Sequence, residues 1–193
     1  MKKSAHFMVV FVSLSVSATV LAQQTAKTRT HVNVPQAAPR AEDVASIDGI
    51  MKAFYEVISG PAGQPRQWSR DRTLYIPDIR FVAMSEDKAG KPVAHIVTHQ
   101  QFVDASDEEA VKEGFFESEI HRVTQNFGNI AHVFSTYESR QKADGPVIGR
   151  GINSVELFND GQRWWIASVV WDDERPDNPL PPQYLPDNKS SGK

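Results

Sequence analysis

The sequence predicts an α+β domain in which a curved antiparallel sheet wraps a small group of helices. Three observations predict it: one strong helical stripe near the start, two long hairpins near the end, and the order helix, helix, two strands, helix, four strands between them. Val44, Ile47, Ile50, Met51, Phe54, Val57 and Ile58 recur at spacings of three and four, a single apolar face ended by Gly60-Pro61. Residues 68–75 read as a short second helix stopped by Pro77, and residues 79–84 and 93–97 as strands around the turn Asp87-Lys88-Ala89-Gly90. Thr98 with Gln101 makes a capping box, and Ser106 with Glu109 repeats it, so a helix or a broken pair spans residues 99–113. Residues 115–127 and 130–140 flank Gly128-Asn129, and residues 148–159 and 162–171 flank Asp160-Gly161, read as a tight two-residue turn.

Composition narrows the function classes. The chain has 193 residues, no cysteine and a formal charge of −3, which excludes a disulfide scaffold, thiolate chemistry and a polycationic nucleic-acid binder. Lys2 and Lys3 precede an apolar run over residues 7–21 that carries Ser13, Ser15 and Ser17. Crossing a bilayer takes about 20 apolar residues, so this run reads as a signal peptide cleaved after Ala22 rather than an anchor. The expected layout is a signal peptide over 1–22, a flexible linker over 23–41, one domain over 42–173 and a tail over 174–193 holding five prolines. The expected location is exported and periplasmic, with no nucleic-acid partner and no membrane contact after cleavage.

Hairpin register then sorts the faces. A turn at Asp160-Gly161 places Leu157 opposite Trp164, Val155 opposite Ile166, Asn153 opposite Ser168 and Gly151 opposite Val170. The other face carries Ile152, Ser154, Glu156, Trp165, Ala167, Val169 and Trp171, too aromatic to face water freely. A second copy covering Ile152, Trp165, Val169 and Trp171 predicts a homodimer, and the alternative cover is the proline-rich tail folding back. A turn at Gly128-Asn129 pairs Ile120 with Tyr137, Arg122 with Ser135 and Thr124 with Val133, leaving Glu117, Glu119, His121, Val123 and Gln125 on the opposite face. A bulge would exchange those faces, and long curved strands often contain one.

Residues 114–120 (Gly-Phe-Phe-Glu-Ser-Glu-Ile), 127–140 (Phe-Gly-Asn-Ile-Ala-His-Val-Phe-Ser-Thr-Tyr-Glu-Ser-Arg), 150–154 (Arg-Gly-Ile-Asn-Ser) and 160–166 (Asp-Gly-Gln-Arg-Trp-Trp-Ile) resemble bacterial nuclear-transport-factor-2-like proteins of the SnoaL and ketosteroid-isomerase type. The resemblance covers residues 44–171. It implies a cone-shaped curved sheet around the N-terminal helices, whose mouth binds a small, usually apolar molecule. Its members include isomerases, dehydratases, epoxide hydrolases and polyketide cyclases. On this likeness Asn153, Ser168, Ser135 and Tyr137 line the cone, with Tyr55 and Trp68 near its mouth. The chain departs from the group in having no Asp at a matching pocket position, and in Ser168 and Val170 where relatives carry histidines.

Proton abstraction beside a carbonyl needs a base and a donor for the developing oxyanion. Tyr137 or Tyr55 could be that donor, and Glu119, Glu117 or His121 the base if a bulge turns that face inward. Otherwise Tyr137 is a core residue and the carboxylates pair with Arg140 and Arg122 on a solvated face. Arg122 could bind a carboxylate ligand or close the rim. No metal site is expected, because His95 and His99 straddle a strand-to-helix boundary and no cysteine is present. No phosphate loop or nucleophile elbow occurs, and no cofactor is expected. The leading reading is an exported protein binding a small apolar or aromatic molecule, with no reaction assigned. The alternatives are a cofactor-free isomerase, dehydratase or cyclase, and a protein-interaction module using the aromatic sheet face.

Overall fold

A computed structural model describes residues 30–186; the stretch over 1–22 read as a signal peptide lies outside them. Helix α1 (Ala41–Val44) and helix α2 (Ile47–Ile58) divide the single expected stripe. The break comes at Ser46, which turns extended and accepts a hydrogen bond from Gly49 N at 3.0 Å, so it caps α2. Helix α3 (Trp68–Arg72) is shorter than expected, since Tyr75 leaves the helix to bridge Ile166. Strands β1 (Arg80–Glu86) and β2 (Pro92–Thr98) form a hairpin whose turn is closed by Asp87. Helix α4 (His99–Glu113) is continuous behind the Thr98–Gln101 capping box, and the second box signature falls inside it. Strands β3 (Phe116–Phe127), β4 (Ile130–Arg140), β5 (Gly149–Asn159) and β6 (Trp164–Asp173) complete the domain.

All six strands join one open sheet in the order β2-β1-β6-β5-β4-β3. Every pairing is antiparallel except β1 with β6, which is parallel over Phe81 to Ala83, so the expected wholly antiparallel sheet has one exception. Helices α2 and α4 pack on the inner face. Ile50, Met51 and Val57 of α2 are fully buried with Val133, Val155 and Ile166 of the sheet in one core. The stretch read as a flexible lead is pinned where it is described: Val32 N donates to Asp104 Oδ1 at 2.9 Å, Gln100 Nε2 donates to Val32 O at 2.8 Å, and Val34 is buried with Trp68 and Val103.

Two registers differ from expectation: each strand pair holds a β-bulge of one extra residue, and the second also has a longer loop. In β3 the pairs run as expected from Phe127 with Ile130 to Arg122 with Ser135, then Ile120 drops out of register and Glu119 pairs with Tyr137. In the β5–β6 hairpin the loop closes on Asn159 and Trp164, so it holds four residues in place of the expected two-residue turn, and Asp160 Oδ1 accepts from both Gln162 N and Arg163 N. Ala167 then drops out between Ile166, paired with Leu157, and Ser168, paired with Glu156. Each β-bulge reverses which residues face inward beyond it.

The outer face changes accordingly. Val169 is buried in the inner core and Trp171 packs with it, so neither belongs to an outer interface as expected. Ile152 and Trp165 do face outward, and Arg163 lies 3.7 Å over the Trp165 ring. Part of this face is covered by the chain's own tail: the Tyr184 ring sits 4.9 Å from Phe134, and Thr136 Oγ1 donates to Tyr184 O at 2.6 Å.

Candidate functional site

Sheet register sets inner-face residues in rows. One row reads Thr124, Val133, Val155, Val169, Phe81 and is apolar after its first member. The next reads Arg122, Ser135, Asn153, Trp171, and the one after it Glu119, Tyr137, Gly151, Asp173. Chemistry therefore rises along the strands away from the β3–β4 tip. Glu119 and Asp173 belong to their row only because of the bulges at Ile120 and Ala167. Gly151 is required between them: a Cβ there would collide with the Tyr137 hydroxyl and with Asp172 O. With that space free, Tyr137 lies across β5 and donates its hydroxyl to Asp173 Oδ1.

A cavity of about 480 Å³ lies between these rows and α4. Phe54, Trp68, Tyr75, Phe81, Phe102 and Trp171 form much of its wall, and Glu117, Tyr137, Ser139, Asn153 and Asp173 are its polar members from the strands. Trp68 is held by its indole N–H, which donates to Asp107 Oδ1 of α4 at 2.6 Å. Tyr75 is fixed from behind, donating to Asp71 Oδ1 at 2.9 Å while His99 Nε2 lies 2.7 Å from Asp71 Oδ2.

Burial, reinforced by the nearby Asp173 charge, pushes the Glu117 carboxyl up to about 8, while a hydrogen bond from the Asn153 side chain pulls partly the other way. Glu117 is thus mainly a neutral acid at pH 7 and a carboxylate above pH 8. Burial, together with donation to Asp173, holds the Tyr137 phenol neutral well beyond its ordinary range. The site can therefore donate a proton, accept one, and offer a phenol beside a carboxylate, the parts that acid/base chemistry on a small molecule needs.

A second set of polar side chains runs behind this wall. Asn153 Nδ2 donates to Tyr55 Oη at 3.2 Å, and Tyr55 Oη lies 2.6 Å from Ser135 Oγ. Ser135 spends its one proton on Glu119 Oε2, so Tyr55 must donate to Ser135. Arg122 Nε closes the line on Glu119 Oε1 at 2.7 Å and also pairs with Asp48 at 2.7 Å. Burial raises the Tyr55 phenol, which stays a neutral link in this chain.

The structure places Trp68, Tyr137 and Asn153 in the cavity wall. Tyr55, Ser135 and Glu119 stand behind it, joined to it through Asn153. Arg122 belongs to a separate open depression beside α2, where it is engaged by Glu119 and Asp48, so it neither binds in the cavity nor closes its rim. Ser168 pairs with Glu156 on the outer face, a correction to its expected place in the cone. His121 also faces outward, opposite Thr136, because it lies on the unreversed side of the Ile120 bulge. Asp173 was not foreseen at all. Its signal was the alternation of β6 carried past Trp171, but that alternation points it inward only once the bulge at Ala167 is counted.

No family model matches the sequence, and no curated protein matches it. Solved structures do match in fold. The beta subunit of a putative aromatic-ring-hydroxylating dioxygenase from Novosphingobium aromaticivorans aligns with TM-score 0.52 at 13% identity, covering 68% of this chain and 88% of that one. A Nostoc punctiforme protein of unknown function with a cystatin-like fold aligns with TM-score 0.51 at 10% identity, covering 71% and 94%. A Mycobacterium tuberculosis protein of unknown function aligns with TM-score 0.50 at 13% identity, covering 67% and 70%. The likeness is one of fold alone: the chain shares an α+β architecture with these three proteins, one of which is described as cystatin-like.

Proposed function

We propose that this protein binds a small, largely apolar or aromatic molecule in the cavity under α4 and exchanges a proton with it through Glu117. One observation carries the reading: a carboxyl pushed up to about 8 faces an aromatic-walled cavity of about 480 Å³. Tyr137 stands in the same wall with its one hydroxyl proton committed to Asp173, which leaves its oxygen as an acceptor, and Asn153 steadies the Glu117 carboxyl. No cofactor enters this chemistry. The leader read in residues 1–22 supports export as the place where it happens.

A generic base probe tests the proposal. With 5-nitrobenzisoxazole, the Glu117 carboxylate takes the ring C–H proton as the N–O bond breaks, releasing a coloured cyanonitrophenolate. The expected result is saturable turnover that rises through about pH 8 and falls at least tenfold in Glu117→Gln. Turnover unchanged in that variant removes the proton-transfer half of the proposal. The binding half is read separately with the neutral dye N-phenyl-1-naphthylamine, expected to bind one to one and to be shut out by Ala105→Trp, which fills the cavity from α4.

A further inference from the structure

The charge of the cavity lining is one-sided. Four of its side chains are acids, Glu109, Glu113, Glu117 and Asp173, and among the described residues no lysine, arginine or histidine lines it. Eight of the lining side chains are aromatic. Several stand nearly at right angles to one another: Trp68 to Phe102 at 90°, Phe102 to Trp171 at 78° and Phe81 to Phe102 at 71°, so they form differently oriented walls rather than a stack. An aromatic wall presents negative ring faces, and acids set among such rings reinforce the same sign. Lys112 outside the mouth engages Glu113 at 2.5 Å but does not reach the interior.

An anionic ligand would meet repulsion from every charged group in this lining, and a purely neutral one would leave the acids without a role in recognition. We infer that the ligand is an organic cation, a substituted ammonium on an aromatic or aliphatic body, with its charge seated between Glu117 and Asp173 and its body against Trp68, Phe102 and Trp171. This rests on the pocket reading above and deepens it. Recognition then has two parts that act together: ring faces hold the poorly hydrated onium group, and the carboxylates supply the counter-charge.

A pH signature follows. Glu117 is faced by Asp173, Asn153, Tyr137, Tyr75 and Tyr55, and none of these is a cation. A bound ammonium is therefore the first positive charge it meets, and seating it displaces the Glu117 proton. Affinity for the cation rises with pH by up to about tenfold per unit below pH 8 and levels off above it, while affinity for a neutral molecule does not.

The test uses a matched pair: 2-naphthylmethyl-trimethylammonium, and the hydrocarbon in which carbon replaces its nitrogen. Each is titrated against bound N-phenyl-1-naphthylamine from pH 6.5 to 9. The expected result is displacement by the cation at least tenfold tighter than by the hydrocarbon at pH 8.5, rising with pH, with the slope lost in Glu117→Gln. Equal or tighter displacement by the hydrocarbon overturns the inference and leaves the pocket reading standing, and so does failure of both to displace a dye that binds. Failure of the dye itself to bind the wild-type protein removes the pocket reading and the inference with it.

Discussion

The inner face of the sheet has two halves that obey different rules. Toward the β3–β4 tip, strict alternation holds: Val133, Val155 and Ile166 are fully buried in one core with Ile50, Met51 and Val57 of α2. Past the bulges at Ile120 and Ala167 the alternation is reversed, α2 gives way to α4, and carboxylates and a phenol face an empty volume. One half holds the domain together and the other is free to be reactive, since buried polar groups cost stability that a solid core can supply. The sharpest way to break this contrast is to weaken the solid half. Ile166→Ala leaves a hole at a fully buried position and is expected to cost about 3 kcal/mol, read as a fall in the chemical-denaturation midpoint without a change in slope. A cost near zero would mean that the two halves are equally loose.

The hollow half is expected to answer in the opposite direction. The Glu117 carboxyl is raised from 4.5 to about 8 by folding, so the folded protein holds a proton that the unfolded chain has lost between those values. The stability that this proton confers is present below pH 4.5 and declines as pH climbs toward 8 and through it. Glu117→Gln cannot ionise, so it lacks this decline. At pH 9 the variant is expected to be more stable than wild type by about 2 kcal/mol, allowing for the carboxyl's partial access to the cavity, with the two converging near pH 5. Parallel melting curves for the two proteins across that range would show that Glu117 is not held in its neutral form by the fold.

The same boundary separates what was legible in the sequence from what was not. Helix α4 and its capping box, the stripe of α2, and the pairing of β4 with its neighbours near Gly128 all follow from local signals, and the structure has them. The bulges have no local signal, because Ile120 and Ala167 are ordinary strand residues without a glycine or proline to mark them. What selects them is tertiary: the curved sheet must bend around α2, and an extra residue relieves the strain of bending. Counting pairs from the turns therefore placed Tyr137, Asn153 and Ser135 on the inner face, yet put Glu117, Val169 and Trp171 on the wrong one and overlooked Asp173. Fold survives such an error in the β5–β6 hairpin because both of its faces carry large apolar residues. The site does not, since one residue decides which carboxylates meet the cavity.

Tyr55 stands on that boundary, rooted in α2 while its hydroxyl joins the wall of the hollow half, and it gives the smallest and most selective test. Tyr55→Phe keeps the ring in the core and its edge-to-face contact with Phe54, whose ring centre lies 5.1 Å away. Only the hydroxyl is lost, and with it the acceptor for Asn153 Nδ2 and the donor to Ser135 Oγ. Ser135 still has Glu119 as its acceptor, so one buried amide hydrogen is left without a partner, and the expected loss is about 1 kcal/mol. A purely structural tyrosine would do no more than this. A tyrosine that fixes Asn153 does something further: the amide is no longer held on Glu117, the one contact that pulls its carboxyl downward is weakened, and the carboxyl titrates above 8. Carbon-13 titration of the glutamate carboxyls reads that midpoint directly. An unmoved midpoint beside the stability loss would separate Asn153 from Tyr55 and confine the coupling between the two halves to packing.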